Sequence, residues 1–122
     1  MSKPTRVYSK SFKQPDETRQ FKAHGHMDLI SFPDGTGVGR AVLEPGWSWS
    51  KDVQPIAKTK TCEVAHTGEC LSGAMAVRMD NGEEFRIEAG EAYNIPAGHD
   101  AWTEGTESCI LVEFKSHKEY AK

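Results

Sequence analysis

One stretch of thirteen residues, GEAYNIPAGHDAW from Gly90 to Trp102, combines turn residues with side chains that can do chemistry. Glycine and proline stand at both ends of a short alternating segment, which predicts a strand followed by a tight turn. The turn carries His99 next to Asp100, so an imidazole and a carboxylate leave the same end of that strand. Polar groups at the mouth of a barrel are a common ligand site, and histidine is the commonest metal ligand. The stretch therefore indicates both an element of the fold and a place for a metal or ligand site.

The elements that must position these side chains are short strands separated by turn residues, the pattern of an all-β barrel or sandwich. The predicted strands are HMDLISF, VGRAVLE, CEVAHTG with ECLSG, AMAVRM, EEFRIE, AYNIP, DAWT and SCILVEF. The Asp-Asn-Gly at 80–82 is the strongest hairpin signal, because Asn-Gly suits the positive φ angles of a type I′ turn. In EEFRIE the alternation predicts that Phe85 and Ile87 face inward. Residues 51–60 are expected to be a loop, and no helix of normal length is expected.

The length of 122 residues predicts one domain with its own core. We divide the chain into an N-terminal arm at 1–22, a barrel at 23–116 and a polar tail at 117–122. The arm either extends along the barrel or a partner subunit, or is partly disordered.

Composition excludes several classes of partner. The net charge of −3 provides no basic surface for nucleic acid. No apolar run is long enough to span a membrane, and the N-terminal residues lack the hydrophobic region of a secretory signal. Three cysteines form an odd number without a CxxC pair, which argues against a disulfide framework and indicates a reducing cytoplasm.

About residues 38–114 resemble the barrel of small single-domain cupins, and two glycine-rich motifs carry the resemblance. Gly73 matches the glycine that closes the first motif, and Gly90, Pro96 and Gly98 match the framework of the second. The resemblance implies a cupin-type jelly-roll β-barrel. It also implies a homodimer, since cupins often pair through sheet edges.

The ligand positions of these motifs depart from the usual cupin set. His66 stands seven residues before Gly73, where the family usually has glutamate, and the paired-histidine positions fall close to Cys62. The histidine of the second motif falls on Ala101, with His99 two residues earlier. The chain therefore resembles a divergent cupin subfamily, to which no specific activity transfers.

Four residues are metal-ligand candidates in such a barrel: His66, His99, Cys62 and Asp52. Side chains alternate along a strand, so Cys62 and His66 would point to the same inner wall. A thiolate and an imidazole suit zinc, and also hold iron, nickel or copper. Asp52, in the loop after the tryptophans, would be a fourth ligand.

Each candidate also has a structural interpretation. His66 can be a buried histidine bonded to a backbone carbonyl or to Tyr93, and Cys62 can be a small core residue. His99 can pack on Trp102, and loop aspartates such as Asp52 are usually solvated.

Four aromatic residues are candidates for ligand binding: Trp47, Trp49, Tyr93 and Trp102. Trp47 and Trp49 are expected to share a strand face, and tryptophans at a barrel mouth can form an apolar wall for a small organic ligand. They can equally seal the core or a dimer interface.

Other polar residues are assigned to the surface. Glu63 and Glu69 should face outward by the parity of their strand. His24 and His26 form an H-x-H pair, but they precede the barrel and lie outside the first motif.

The sequence is compatible with three functions. The first is a metal-binding cupin, with or without enzymatic activity, whose divalent ion lies in the barrel and whose ligand or substrate lies at its mouth. The second is a non-catalytic small-molecule binding or sensing module. The third is a structural or interaction protein that acts as a dimer. The sequence indicates no catalytic residue and no substrate.

Overall fold

The computed structural model, which describes residues 6–114, consists mainly of two antiparallel sheets. The larger sheet has the strand order β1-β2-β3-β9-β4-β7, and the smaller has the order β6-β5-β8. The strands are β1 (Glu17–Gln20), β2 (Gly25–Ser31), β3 (Gly37–Leu43), β4 (His66–Ser72), β5 (Ala74–Met79), β6 (Glu84–Glu88), β7 (Ala92–Ile95), β8 (His99–Glu104) and β9 (Cys109–Glu113). The predicted all-β architecture is confirmed. The homodimer stays a prediction.

One hydrophobic core joins the two sheets. Leu29 and Leu43 from the larger sheet belong to the same buried cluster as Met75 and Val77 from the smaller one. Burial alternates along β3 and β9, as expected for strands with one face on the core. Inward side chains of both sheets therefore meet in a single interior, which is where a buried site can form.

The first strand, β1, falls within the predicted N-terminal arm. It pairs antiparallel with β2, from Glu17 opposite Leu29 to Gln20 opposite His26. This part of the arm thus extends along the sheet. The first five residues of the arm and the predicted tail at 117–122 lie outside the described residues.

Two helices of one turn each, α1 (Trp49–Asp52) and α2 (Gln54–Ala57), lie between β3 and β4. Ser48 caps α1, and its side chain accepts a hydrogen bond from the Lys51 amide at 3.3 Å. Trp47 and Trp49 therefore do not share a strand face, because the helix begins at Trp49. The prediction of a loop for residues 51–60 is wrong, because α2 and the last two residues of α1 lie within that range. Within the described chain, neither helix is long enough to cross a membrane.

The hairpin between β5 and β6 is confirmed, with Val77 opposite Phe85. Its turn is not the predicted type I′. Among residues 80–82, Gly82 alone has a positive φ angle, at 92°, whereas a type I′ turn needs two such residues. One left-handed glycine after two ordinary residues fits a three-residue hairpin loop instead. Phe85 is 56% exposed, against the prediction that it faces inward. The reason is its position on β6, which is the edge strand of the smaller sheet.

Candidate functional site

Three buried side chains converge between the two sheets: Cys62, His66 and His99. One ligand atom from each lies within 4.8 Å of the others. His66 begins β4 and His99 begins β8, whereas Cys62 lies just before β4. An antiparallel bridge, in which the Cys62 amide donates to the His99 carbonyl at 2.8 Å, connects the two segments. The backbone therefore fixes the thiol beside both imidazoles.

Each imidazole is oriented by a hydrogen bond at Nδ1. His66 Nδ1 lies 2.8 Å from Glu113 Oε1, and His99 Nδ1 lies 2.8 Å from the carbonyl oxygen of Pro96. The carbonyl can only accept, so His99 Nδ1 carries the proton in that bond. His66 Nε2 lies 3.5 Å from Cys62 Sγ. A carboxylate or carbonyl behind the far ring nitrogen is the arrangement that metal-ligating histidines usually have.

Glu113 is a buried carboxylate that the sequence interpretation missed. Its side chain is held from two sides, because Tyr93 donates its hydroxyl to Oε2 at 2.6 Å while Oε1 meets His66. A signal was present in the sequence: Glu113 has the same inward parity in β9 as Cys109 and Leu111. A carboxylate at such a position needs a buried partner.

The pKa values of the thiol and the imidazole are shifted towards each other. Burial alone would raise the pKa of Cys62, but hydrogen bonds with His66 and His99 outweigh it and lower the pKa to about 7. Burial alone would lower the pKa of His66, but hydrogen bonds with Cys62 and Glu113 outweigh it and raise the pKa to about 9. A thiolate and an imidazolium are thus the favoured pair near neutral pH in the metal-free protein.

The cluster borders a small internal cavity with a volume of about 30 Å³. Its lining includes His66, His99 and Glu113, together with apolar walls from Trp47 and Met75. A cavity needs roughly 10–15 Å³ of such volume to hold one water molecule. The space therefore accommodates about two water molecules or an ion with one small ligand, and excludes an organic substrate.

Asp52, the fourth predicted metal ligand, lies outside this cluster. It is buried, and its carboxylate lies 3.1 Å from His24 Nδ1 and accepts from the Ser48 amide at 3.1 Å. Ser48 belongs to the connection around α1, and His24 lies in the turn between β1 and β2. The structure thus gives Asp52 a place in fixing that connection and does not bring it to the three converging ligands.

The four predicted ligand-binding aromatic residues do not form one wall. Trp47 and Trp49 are buried and line the internal cavity. Tyr93 is engaged with Glu113. Trp102 is half-buried, with the guanidinium of Arg78 at 5.6 Å from its ring centroid. The aromatic residues therefore divide between the interior, the Glu113 network and the outer surface.

A larger groove of about 560 Å³ lies on the surface beside β6 and β7. Met79, Phe85 and Ile87 contribute to its lining on one side, and Tyr93 and Ile95 on the other. Ile95 also lines the internal cavity. Ile95 is therefore a wall residue of both the groove and the cavity.

The donor set itself tests whether a metal ion fits. One thiolate and two imidazoles suit zinc and the neighbouring first-row divalent metals. Three protein ligands leave one coordination position for a further group, which is the usual form of a catalytic zinc site. The oriented imidazoles and the adjacent cavity are consistent with such a centre.

Comparison with known proteins gives a fold assignment. No family model matches the sequence, and no curated protein matches it significantly. Solved structures do match, among them an RmlC-like cupin from Shewanella frigidimarina NCIMB 400, at a TM-score of 0.60 and 14% identity over 93% of this chain and 95% of that one. The chain has the cupin fold.

Two further cupin neighbours have similar scores. KdgF from Halomonas sp. has a TM-score of 0.59 and 15% identity, covering 91% of this chain and 96% of that one. The polyketide cyclase RemF from Streptomyces resistomycificus has a TM-score of 0.60 and 19% identity, covering 89% and 80%. At these identities the likeness extends to the fold of this chain and not to its activity.

Proposed function

We propose that this cupin binds a divalent transition-metal ion in its interior through Cys62 Sγ, His66 Nε2 and His99 Nε2. One observation carries the proposal: both imidazoles are anchored at Nδ1, one by the Glu113 carboxylate and one by the Pro96 carbonyl, and lie beside the same thiol. Each ring is held by the protein at Nδ1, which leaves the other nitrogen of each ring to act as a ligand beside a thiol of lowered pKa.

Zinc is the ion that this set fits best, with iron, nickel and copper as the alternatives. A thiolate is a soft ligand that binds zinc strongly, and two imidazoles complete three of four tetrahedral positions. When bound, such an ion supplies Lewis acidity and lowers the pKa of a bound water.

The surrounding residues prepare the ligands for this role. Glu113 fixes the orientation of the His66 ring, and Tyr93 in turn fixes Glu113. The apolar walls of the cavity keep bulk water away, which strengthens electrostatic interactions inside it.

Metal content is the direct test. The protein is purified without an affinity tag, and its metal is counted per chain by mass spectrometry before and after incubation with zinc. We expect one ion per chain. Cobalt(II) substituted for zinc should show thiolate-to-metal charge-transfer absorption in the near ultraviolet.

The matched variants are Cys62→Ser and Cys70→Ser, since both thiols are buried. Cys62→Ser should lose the charge-transfer absorption, and Cys70→Ser should keep it. A wild-type protein that takes up no metal at micromolar concentration contradicts the proposal.

A second candidate function, binding of a small organic ligand, is supported by the groove beside β6 and β7. Its volume of about 560 Å³ falls in the range of small-molecule sites, and Phe85 exposes an apolar ring there. One fold neighbour, RemF, is a polyketide cyclase. We infer a ligand with a mainly apolar body, held in this groove.

The groove can be tested with the fluorescent probe anilinonaphthalene sulfonate. Phe85→Ser should weaken probe binding several-fold because it removes the exposed ring from the groove lining. Phe114→Ser is the matched control, because Phe114 is equally exposed, at 56%, and lies outside the groove. Equal binding by both variants would count against the groove as a ligand site.

A further inference from the structure

One residue that lines the internal cavity has an unexplained hydrogen-bond donor. Trp47 lines the cavity and is 3% exposed. Its indole Nε1 is the one buried side-chain nitrogen or oxygen without a hydrogen-bond partner among the described residues. Buried polar groups are satisfied in the great majority of cases, because an unmade hydrogen bond in a low-dielectric interior costs free energy. This donor therefore indicates a ligand that accepts a hydrogen bond.

Size and chemistry limit what that ligand can be. The cavity, at about 30 Å³, accommodates one to three non-hydrogen atoms beside a metal ion. The indole N–H can only donate, so the ligand must present a lone pair. Apart from His66, His99 and Glu113, the lining is mainly apolar and includes Leu43, Trp49 and Ile95, so a larger polar molecule would find few partners.

We propose that this cavity binds a small anionic acceptor, such as hydroxide or azide, between the Trp47 indole N–H and the metal ion held by Cys62, His66 and His99. This inference rests on the proposed metal centre and adds to it a fourth-position ligand and the residue that selects that ligand. Trp47 is a binding residue in this arrangement.

The position of Trp47 is fixed before any ligand arrives. Its amide donates to the Glu44 carbonyl at 3.0 Å, and its carbonyl accepts from the Thr103 amide at 3.0 Å. Its ring packs against Phe21, with ring centroids 6.2 Å apart. A donor held in this way needs no reorganisation when a charge arrives near it, which is the condition for strong electrostatic stabilisation.

The other two tryptophans differ from Trp47 in burial, location or hydrogen bonding. Trp49 lines the same cavity, but its indole nitrogen is not among the buried unsatisfied atoms of the described residues. Trp102 lies outside the cavity, against Arg78. Only Trp47 combines burial, contact with the cavity and an unsatisfied donor within the described chain.

The test is azide binding to the cobalt-substituted protein, followed by its absorption spectrum. Trp47→Phe keeps an aromatic ring and removes the N–H, so azide affinity should fall about tenfold to a hundredfold, as for a hydrogen bond to a charged group. Trp102→Phe is the matched control and should bind azide like the wild type. Metal content, measured on the same samples, should be unchanged in both variants.

The two proposals fail in different ways. If Trp47→Phe retains its metal and binds azide as tightly as the wild type, the role of Trp47 is wrong and the metal centre stands. If the wild type binds no metal, both proposals are wrong.

A second measurement covers the case in which Trp47→Phe does not fold. In zinc-loaded wild-type protein labelled with ¹⁵N, one of the three tryptophan indole resonances should shift on azide addition and saturate with the azide. No shift of any indole resonance under conditions where azide binds the cobalt protein would overturn the inference.

Discussion

The buried cysteines of this protein lie in two opposite environments. Cys62 lies beside two imidazoles, and its pKa is lowered to about 7. Cys70 and Cys109 lie with their sulfur atoms 3.9 Å apart, and burial raises the pKa of both thiols. All three side chains are buried, at 2% exposure or less.

The difference shows that burial does not decide what a cysteine does. Burial opposes the thiolate in both places, and only the imidazoles beside Cys62 reverse the direction. The two environments are also close in the fold, since His66 and Cys70 lie four residues apart on the same strand, roughly 13 Å along it. One end of β4 thus carries a ligand set, and the other carries packing thiols.

Removal of His66 should abolish the difference between Cys62 and the other two cysteines, and it is the substitution with the largest expected effect on metal binding. In His66→Ala, Cys62 loses its nearest imidazole and the metal ion loses a ligand. We expect zinc affinity to fall by more than about a hundredfold, because replacing a ligand costs more than the 10–100-fold typical of groups that only orient one. Competition with a chromophoric chelator measures this.

His26→Ala is the control for that substitution. His26 is half-buried, and its imidazole contacts Asp28 at 3.3 Å, away from the cluster. Unchanged zinc affinity in His66→Ala would contradict the assignment of His66 as a ligand.

Titration of the thiols in the metal-free protein compares the pKa of Cys62 with those of Cys70 and Cys109 directly. Thiolate absorbance, taken as the difference between wild type and Cys62→Ser, should rise with a midpoint near pH 7. The remaining thiols of Cys62→Ser should stay protonated beyond pH 9, the ordinary thiol value, since burial raises their pKa. A thiol with a pKa of about 7 instead of the ordinary 9 binds its proton about a hundredfold less tightly.

The same shifts fix the sign of the pH dependence of stability. The pKa of Cys62 is lower in the folded state, so its contribution is present above pH 9 and is lost as the pH falls through about 7. The pKa of His66 is higher in the folded state, so its contribution is present below pH 6.5 and is lost as the pH rises through about 9. Thiolate and imidazolium coexist in the folded protein only between these two folded-state values, so the stability difference between metal-free wild type and Cys62→Ser should be greatest between about pH 7 and 9. A difference that is flat with pH in thermal unfolding would contradict the ion pair.

Glu113 contacts the cluster at His66. Glu113→Gln keeps the shape of the side chain and removes the charge, which should weaken zinc binding about 10–100-fold. It should also raise the pKa of Cys62, because the imidazolium beside the thiolate loses its counter-ion. The absorbance titration and the chelator competition measure both effects. An unchanged Cys62 midpoint would show that Glu113 does not support the imidazolium.

The sequence was sufficient for the fold class because its signals are local. Alternation, turn residues and the glycine and proline framework of the second motif occur within a few residues of each other. The prediction for Phe85 was wrong because alternation reports that a strand has two faces, and not whether the opposite sheet extends far enough to cover one of them.

The candidate site was only partly predictable because it depends on contacts between distant segments. Cys62 and His99 meet through a bridge across 37 positions, and His66 meets Glu113 across 47. Cys62 and His66 share the interior as predicted, although β4 begins only at His66 and strand parity does not extend to Cys62. The partner behind each imidazole requires the strand order. Asp52 has a side chain that can ligate a metal, but it lies at the end of α1, where its carboxylate contacts His24.

The smallest expected effect is that of Tyr93→Phe, which removes one hydroxyl two contacts away from the metal ligands. The variant keeps the ring and leaves Glu113 Oε2 without the donor that now lies 2.6 Å away. The carboxylate then loses one of its donors, so its position is less well defined and the cost in stability is about 1–3 kcal/mol. Zinc affinity should fall less than tenfold, because the bond between Glu113 and His66 remains. A loss as large as that of Glu113→Gln would mean that Tyr93 holds the carboxylate in place, and the chain of support for Cys62 would then extend from β9 to β7.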